Sequence, residues 1–184
     1  MKRKIRVGVD FDGVVAYNPF RIVRPIVAFL KKLIKPQRKL EFWYPEKKWQ
    51  QILWTIAHES SVFPAVGTKL LKKMVREGKI EVYLITARYS FLDDHLNKWL
   101  RRKKLRDIFT SINLNKNDEQ PHLFKERIIK KHSLDFFIED NLDIVKHLES
   151  SVPCKIFWIY NILDRNTEYK YKFPYLKAAL QKIK

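Results

Sequence analysis

The stretch Lys4-Ile5-Arg6-Val7-Gly8-Val9-Asp10-Phe11-Asp12-Gly13-Val14-Val15 decides the fold. Its first half is an apolar run of strand type, and that run ends abruptly in two carboxylates and a glycine. Near-continuous apolar strands suit a parallel sheet covered on both faces. Four more β-type runs follow, at residues 80–86 (IEVYLIT), 109–114 (FTSINL), 134–139 (LDFFIE) and 155–160 (KIFWIY). Between them apolar residues recur at helical spacing. Leu70, Leu71, Met74 and Val75 do so in residues 68–77, Leu92, Leu96, Trp99 and Leu100 in 92–102, Leu123, Ile128 and Ile129 in 123–131, and Leu142, Ile144, Val145 and Leu148 in 141–148. Strands alternating with helices predict an α/β fold, a doubly wound, Rossmann-like parallel sheet of about five strands.

One connection breaks the rhythm. Between the first strand and the next core helix the chain runs from residue 17 to 66, too long for a simple loop. Residues 20–34 repeat apolar side chains at helical spacing, with Pro19 near the start and a kink expected at Pro25. A second helix is expected from near Pro45, presenting Trp49, Ile52, Leu53 and Ile56. The expected organisation is therefore a core of residues 1–16 and 61–184 with a small helical cap insert at 17–60. The tail, 164–184, is expected to end in a short basic helix over 175–183 that packs on the core.

The chain has 184 residues, 46% hydrophobic and 32% charged, which excludes a disordered or fibrous protein. Lys and Arg number 38 against 20 Asp and Glu, a net charge of +18. Such a surplus predicts attraction to phosphate, nucleic acid or anionic lipid. The plain alternative is a Lys-rich solvated coat, and the sequence favours it. A nucleic-acid partner stays open without being preferred, and no oligomeric state is assigned. The single cysteine, Cys154, excludes an intramolecular disulfide and points to a reducing compartment. Met1-Lys2-Arg3-Lys4 resembles the start of a signal peptide, but Asp10 and Asp12 break the apolar stretch after it. No run approaches the ~20 apolar residues that span a membrane. A cytoplasmic protein without a membrane partner is expected.

Ligands of an open parallel sheet bind outside the carboxyl ends of its strands. Strand 1 ends in Asp10-Phe11-Asp12-Gly13, the second in Thr86-Ala87-Arg88 and the fourth in Glu139-Asp140-Asn141, while Lys125 lies on the helix before the fourth. That many carboxylates on one rim repel one another unless a cation binds them. Each residue type fits a step of phosphoryl transfer. Asp10 can attack phosphorus and form an aspartyl-phosphate. Asp12 can protonate the leaving alkoxide and then deprotonate water, a role that calls for a pKa raised toward neutrality. Gly13 lets the chain turn away and leaves backbone N–H groups for phosphate oxygens. Thr86 and Lys125 would neutralise charge on the transferring group. Asp140, with Asp10, would hold a hard cation such as Mg²⁺. Arg88 leaves its strand toward the cleft and can touch substrate.

The string from Val7 to Val15 resembles the first motif of the haloacid dehalogenase-like (HAD) phosphohydrolases. Leu84-Ile85-Thr86-Ala87-Arg88, then Lys125, then Phe137-Ile138-Glu139-Asp140-Asn141 follow in that family's order, and the insert resembles its helical cap. The similarity spans the chain apart from the basic tail. It implies Asp10 as nucleophile, Asp12 as acid/base, and Thr86 and Lys125 as phosphate binders; Gly13, Ala87 and Arg88, at the same strand ends, are expected at the substrate. It also implies a Mg²⁺ site formed by Asp10, Asp140 and the backbone carbonyl of Asp12. The short cap and the Ile-Glu-Asp-Asn ending look most like the small 5′(3′)-deoxyribonucleotidase-type members.

The implied function is a Mg²⁺-dependent phosphatase acting on a small phosphomonoester, with nucleoside monophosphates first. A nucleic-acid-end phosphatase, and a phosphate- or RNA-binding module on the same scaffold, are the alternatives. Asp12 argues against a dehalogenase, which needs no acid after its nucleophile; a phosphomutase needs Asp12 too and stays open. Lys130 and Lys131 share the helix of Lys125 and compete for its role. Glu139 reads as a supporting carboxylate. The five histidines show no metal spacing. Phe42, Trp43, Tyr44, Trp49 and Trp54 read as the core of the insert rather than a base-stacking platform. The basic cluster at 98–106 reads as a solvated helix face.

Overall fold

The computed structural model describes residues 3–18, 40–59 and 61–183. The expected helix over 20–34 lies outside them. Six strands of one sheet run parallel: β1 (Ile5–Val9), β4 (Ile80–Tyr89), β5 (Ser111–Asn115), β6 (Phe136–Glu139), β7 (Lys155–Ile159) and β8 (Lys172–Phe173). Their order across the sheet is β5-β4-β1-β6-β7-β8. Counted along the chain, the sheet grows outward from β1 in one direction and then, through β6, in the other. The crevice where that reversal occurs lies between β1 and β6, the expected ligand position of a doubly wound sheet.

Alternation along the strands builds two cores. Val7, Val9, Val82, Leu84, Ile138, Phe157 and Ile159 face α2 (Thr68–Arg76), α3 (Asp93–Arg102) and α6 (Leu176–Leu180). Tyr83, Ile85, Phe137, Ile156 and Trp158 face α4 (Pro121–His132) and α5 (Leu142–Ser151). Each fully buried Leu, Ile or Phe contributes roughly 1.5–3 kcal/mol, enough to hold the strand ends in fixed register beneath the site. The helices obey local chemistry as well. Pro121 opens α4 where no N–H is needed, and Asn141 caps α5 by accepting from the Asp143 N–H at 3.0 Å.

Two strands exceed the expectation. The run over 80–86 continues to Tyr89, with a register irregularity between Thr86 and Tyr89 against β5. The sixth strand, β8, comes from the tail: Trp158 N–H donates to the Tyr171 carbonyl at 2.9 Å and Tyr160 N–H to that of Phe173 at 3.0 Å. The tail also supplies α6, which buries Leu176, Ala179 and Leu180. At the exit from β1 the short strands β2 (Ala16–Tyr17) and β3 (Phe63–Pro64) pair antiparallel, so the chain leaves and returns to the core side by side. Within the connection, α1 (Lys48–Glu59) follows Pro45. Residues 42–44 are tied to the rim: the Phe42 N–H donates to Gln120 Oε1 at 2.8 Å, Tyr44 Oη to Asp118 Oδ2 at 3.1 Å and Tyr89 Oη to the Trp43 carbonyl at 2.9 Å. Trp43 packs on Trp54 and Tyr44 on Tyr89, ring centroids 5.5 and 4.8 Å apart.

Candidate active site

Asp10 and Asp12 leave β1 on either side of Phe11, whose ring is fully buried, and the two carboxylates enter different surroundings. Asp10 faces the crevice. Its Oδ1 lies 3.1 Å from Lys125 Nζ, which also donates to Glu139 Oε2 at 2.6 Å. Glu139 Oε1 accepts the N–H groups of Asp140 and Asn141 at 3.2 and 3.0 Å. Glu139 therefore fixes the turn at the end of β6 with one oxygen and anchors Lys125 with the other. Ligand oxygens of Asp10, Glu139 and Asp140 lie within 4.8 Å of one another. The Asp140 carbonyl accepts from Trp158 Nε1 at 3.2 Å, which holds this turn from below.

The electrostatics follow. Burial pushes the Asp10 carboxyl well up; Lys125 opposes this, while Glu139 and Asp140 add to it. Glu139 is raised by burial in the same way. Burial alone would pull the Lys125 ammonium down, but Asp10 and Glu139 more than offset that and keep it protonated. Three carboxylates beside one ammonium leave an excess of negative charge in a dry crevice. Among the described residues this is the one acidic group with metal-ligand spacing. An all-oxygen donor set suits a hard divalent cation, and the residues fit it.

Asp12 is the point where the sequence expectation needs correcting. Arg88 Nε donates to its Oδ2 and Nη2 to its Oδ1, both at 2.7 Å. Ser61 Oγ donates to Oδ1 at 2.8 Å, and Asn18 Nδ2 reaches the same oxygen at 3.4 Å. Burial raises the Asp12 carboxyl, but the bidentate Arg88 charge dominates and holds it well below the usual carboxylate range. The expected shift toward neutrality is reversed. Arg88, expected at the substrate, is itself spent on Asp12 and on the His58 carbonyl, 3.1 Å away, with its guanidinium 4.5 Å over the Phe11 ring.

Gly13 departs from expectation in a second way. Its N–H donates to the Ala16 carbonyl at 2.8 Å and is not left for phosphate. What requires glycine is its φ of +79° and the closeness of Asp140: a Cβ here would fall inside the Asp140 carboxylate. Thr86 is buried, and its hydroxyl oxygen accepts the Arg88 N–H at 3.3 Å. The Ala87 side chain packs into the core under α4 and α5. Lys130, the rival for Lys125, instead pairs with Glu126 on the surface. Asp10, Asp12, Thr86, Arg88, Lys125 and Asp140 are each at most 7% exposed, so the crevice is sealed as described. Ser61, Asn18 and the His58 carbonyl were not anticipated; a serine after the insert carries no signal for a partner 49 residues earlier.

No protein-family model and no curated protein sequence matches the chain. Solved structures do. The magnesium-bound HAD-hydrolase YfnB from Bacillus subtilis superposes with a TM-score of 0.64 at 11% identity, covering 99% of each chain. The haloacid dehalogenase-like protein SP0104 from Streptococcus pneumoniae gives 0.62 at 13%, over 98% of this chain and 99% of its own. CbbY from Rhodobacter sphaeroides, in complex with phosphate, gives 0.62 at 11%, over 95% and 96%. At these identities the likeness speaks for architecture. The chain has the fold of the haloacid dehalogenase-like hydrolases.

Proposed function

We propose that the protein is a Mg²⁺-dependent phosphatase that hydrolyses a small phosphomonoester through an aspartyl-phosphate on Asp10, with a nucleoside monophosphate as first candidate. The observation that carries this reading is the crevice at the β1–β6 reversal, where Asp10 touches Lys125 and shares a 4.8 Å cluster with Asp140 and Glu139. A neighbour in fold bound to magnesium and another bound to phosphate are consistent with it. Glu139 is engaged by Lys125 and by the backbone N–H of Asn141; the ligands we assign, following the family resemblance, are the Asp10 and Asp140 carboxylates with the Asp12 carbonyl. A bound cation would neutralise charge on the phosphoryl oxygens and hold Asp10 ionised.

The chain's own residues supply the rest. The Asp10 carboxylate attacks phosphorus while Lys125 and Thr86 hold the phosphoryl oxygens, and the bond to the ester oxygen breaks. Asp12 delivers a proton to that oxygen, then takes one from the water that attacks the acyl phosphate. As an acid Asp12 must first carry a proton, which the Arg88 pair disfavours. An arriving phosphate dianion competes for the guanidinium and releases Asp12, which gives Arg88 its substrate role. The sealed crevice suits a small ester better than the end of a nucleic acid. A single cysteine, Cys154, is in keeping with a reducing cytoplasm.

The test is hydrolysis of an aryl phosphate with and without Mg²⁺, followed by a panel of phosphorylated metabolites and phosphorylated oligonucleotide ends. Mg²⁺-dependent turnover that traps phosphate on Asp10 is expected. Turnover resistant to EDTA, or retained in Asp10→Asn, overturns the reading.

A further inference from the structure

The two faces of the sheet carry very different charge. Residues 68–79, 93–108 and 176–183, which are α2, α3 and α6 with the turns that close them, hold thirteen Lys and Arg against four Asp and Glu. Residues 116–133 and 141–152, around α4 and α5, hold six against five, Lys125 included. Half of the net +18 thus gathers on one face. A solvated coat that stabilises by ion pairing would distribute partners among these cations. The opposite face does so, with Arg127–Glu119, Lys130–Glu126 and His147–Glu126. On the basic face, among the described residues, Glu77 alone serves as partner, to Lys73 at 3.7 Å and Lys79 at 2.7 Å.

The face is also continuous. The helix α2 packs against both α6 and the turn after α3, and Lys69, Lys72, Lys73 and Arg76 lie on it at the spacing of one helical stripe. Packed like charges of this density repel one another and favour a polyanionic counter-surface. Three kinds are distinguishable by what the face lacks. No large apolar side chain within α2, α3 or α6 is exposed, and Val66 and Tyr175 at the start of α6 are too few to form a wedge for a bilayer or an apolar anchor for a protein interface. Trp99, the aromatic of α3, is buried and Tyr175 is a single exposed ring, so these helices offer no row of rings on which successive unpaired bases could stack. Cations alone fit the phosphates of a duplex, read by charge and not by sequence.

We propose that the α2–α3–α6 face binds duplex nucleic acid through its sugar–phosphate backbone. The binding is separate from the sealed crevice and does not depend on the phosphatase reading. The test is anisotropy with a labelled mixed-sequence duplex across salt, beside the matching single strand and phosphatidylserine-containing vesicles. Expected is duplex binding whose log affinity falls linearly with log salt. Lys69→Gln/Lys72→Gln/Arg76→Gln should weaken it at least about tenfold and flatten the slope by about 0.9 per lost phosphate contact. Arg127→Gln/Lys131→Gln/Lys146→Gln, which removes the same charge from the opposite face, should leave it near wild type, and neither triple variant should change aryl phosphate hydrolysis. Equal loss in both triple variants would mean a general coat and overturn the proposal. So would no duplex binding at low salt, or tighter binding to the single strand or the vesicles.

Discussion

Asp10 and Asp12 are the same side chain two residues apart, equally buried, and their surroundings drive them in opposite directions. Around Asp10 one ammonium is shared between Asp10 and Glu139 with the Asp140 carboxylate close beside them, so the site is short of positive charge. Around Asp12 one guanidinium meets one carboxylate in a bidentate pair, and the charge is balanced. The first arrangement carries surplus negative charge that a cation would relieve; the second is already satisfied, and under the proposed mechanism it would have to be disturbed. Neighbouring residues on one strand end can thus be given different chemistry by what the next strands bring.

The largest test of that contrast is Asp10→Asn, which should abolish turnover while the fold remains, because an amide neither attacks phosphorus nor anchors a cation. Near-wild-type rates in this variant would remove the covalent route. Asp12→Asn should slow both halves of the reaction by ~10²–10⁴-fold, read as kcat on an activated and an unactivated ester. A loss under about threefold would assign the proton transfer elsewhere. Next comes the balanced pair itself. Removing one member of a buried pair costs about 3–5 kcal/mol, so Arg88→Gln should lower the unfolding free energy from denaturant melts by that amount, and adding Asp12→Asn should restore part of it. Simple additivity would show that the pair is not coupled. Smaller still is the effect of metal: at a hundred times its Kd, Mg²⁺ should stabilise the wild type by about 2.7 kcal/mol, and Asp140→Asn should abolish that gain.

The gentlest probe is pH without metal. Asp12 is held below its unfolded value of ~3.9, so its contribution is present above that pH and is lost as pH falls through the depressed folded value. Asp10 is raised, so the folded state binds the extra proton and stability falls as pH rises from ~3.9 through its folded value. Denaturant melts should show the falling limb reduced by Asp10→Asn, with the remainder owed to Glu139, and the acid-side loss reduced by Asp12→Asn.

Much of this was legible in the chain. The alternation of apolar runs and helical stripes specified the sheet, and the rim residues were readable because strand ends in such a sheet point one way. Lys125 stood out from Lys130 only once α4 was packed, since burial next to Asp10 depends on which face of the helix turns inward. Strand β8 had no apolar run to announce it; a Lys-Phe pair becomes a strand because the exposed edge of β7 offers it hydrogen bonds. The reversal at Asp12 was hidden for a related reason. Arg88 lies 76 residues away, within a register irregularity, and no pattern in the sequence says that a strand will run past the rim and turn a guanidinium back.

The indole of Trp158 has no exposed surface, and its N–H is committed to the carbonyl of Asp140. That bond makes the ring an optical reporter wired to the crevice. A cation held on the Asp140 carboxylate, as proposed, would shift the local field at this buried indole. Among the five tryptophans, Trp43 and Trp49 are about half exposed and emit further to the red. If the site takes the proposed cation, emission excited at long wavelength and read at the blue edge should change on its addition, without label or substrate.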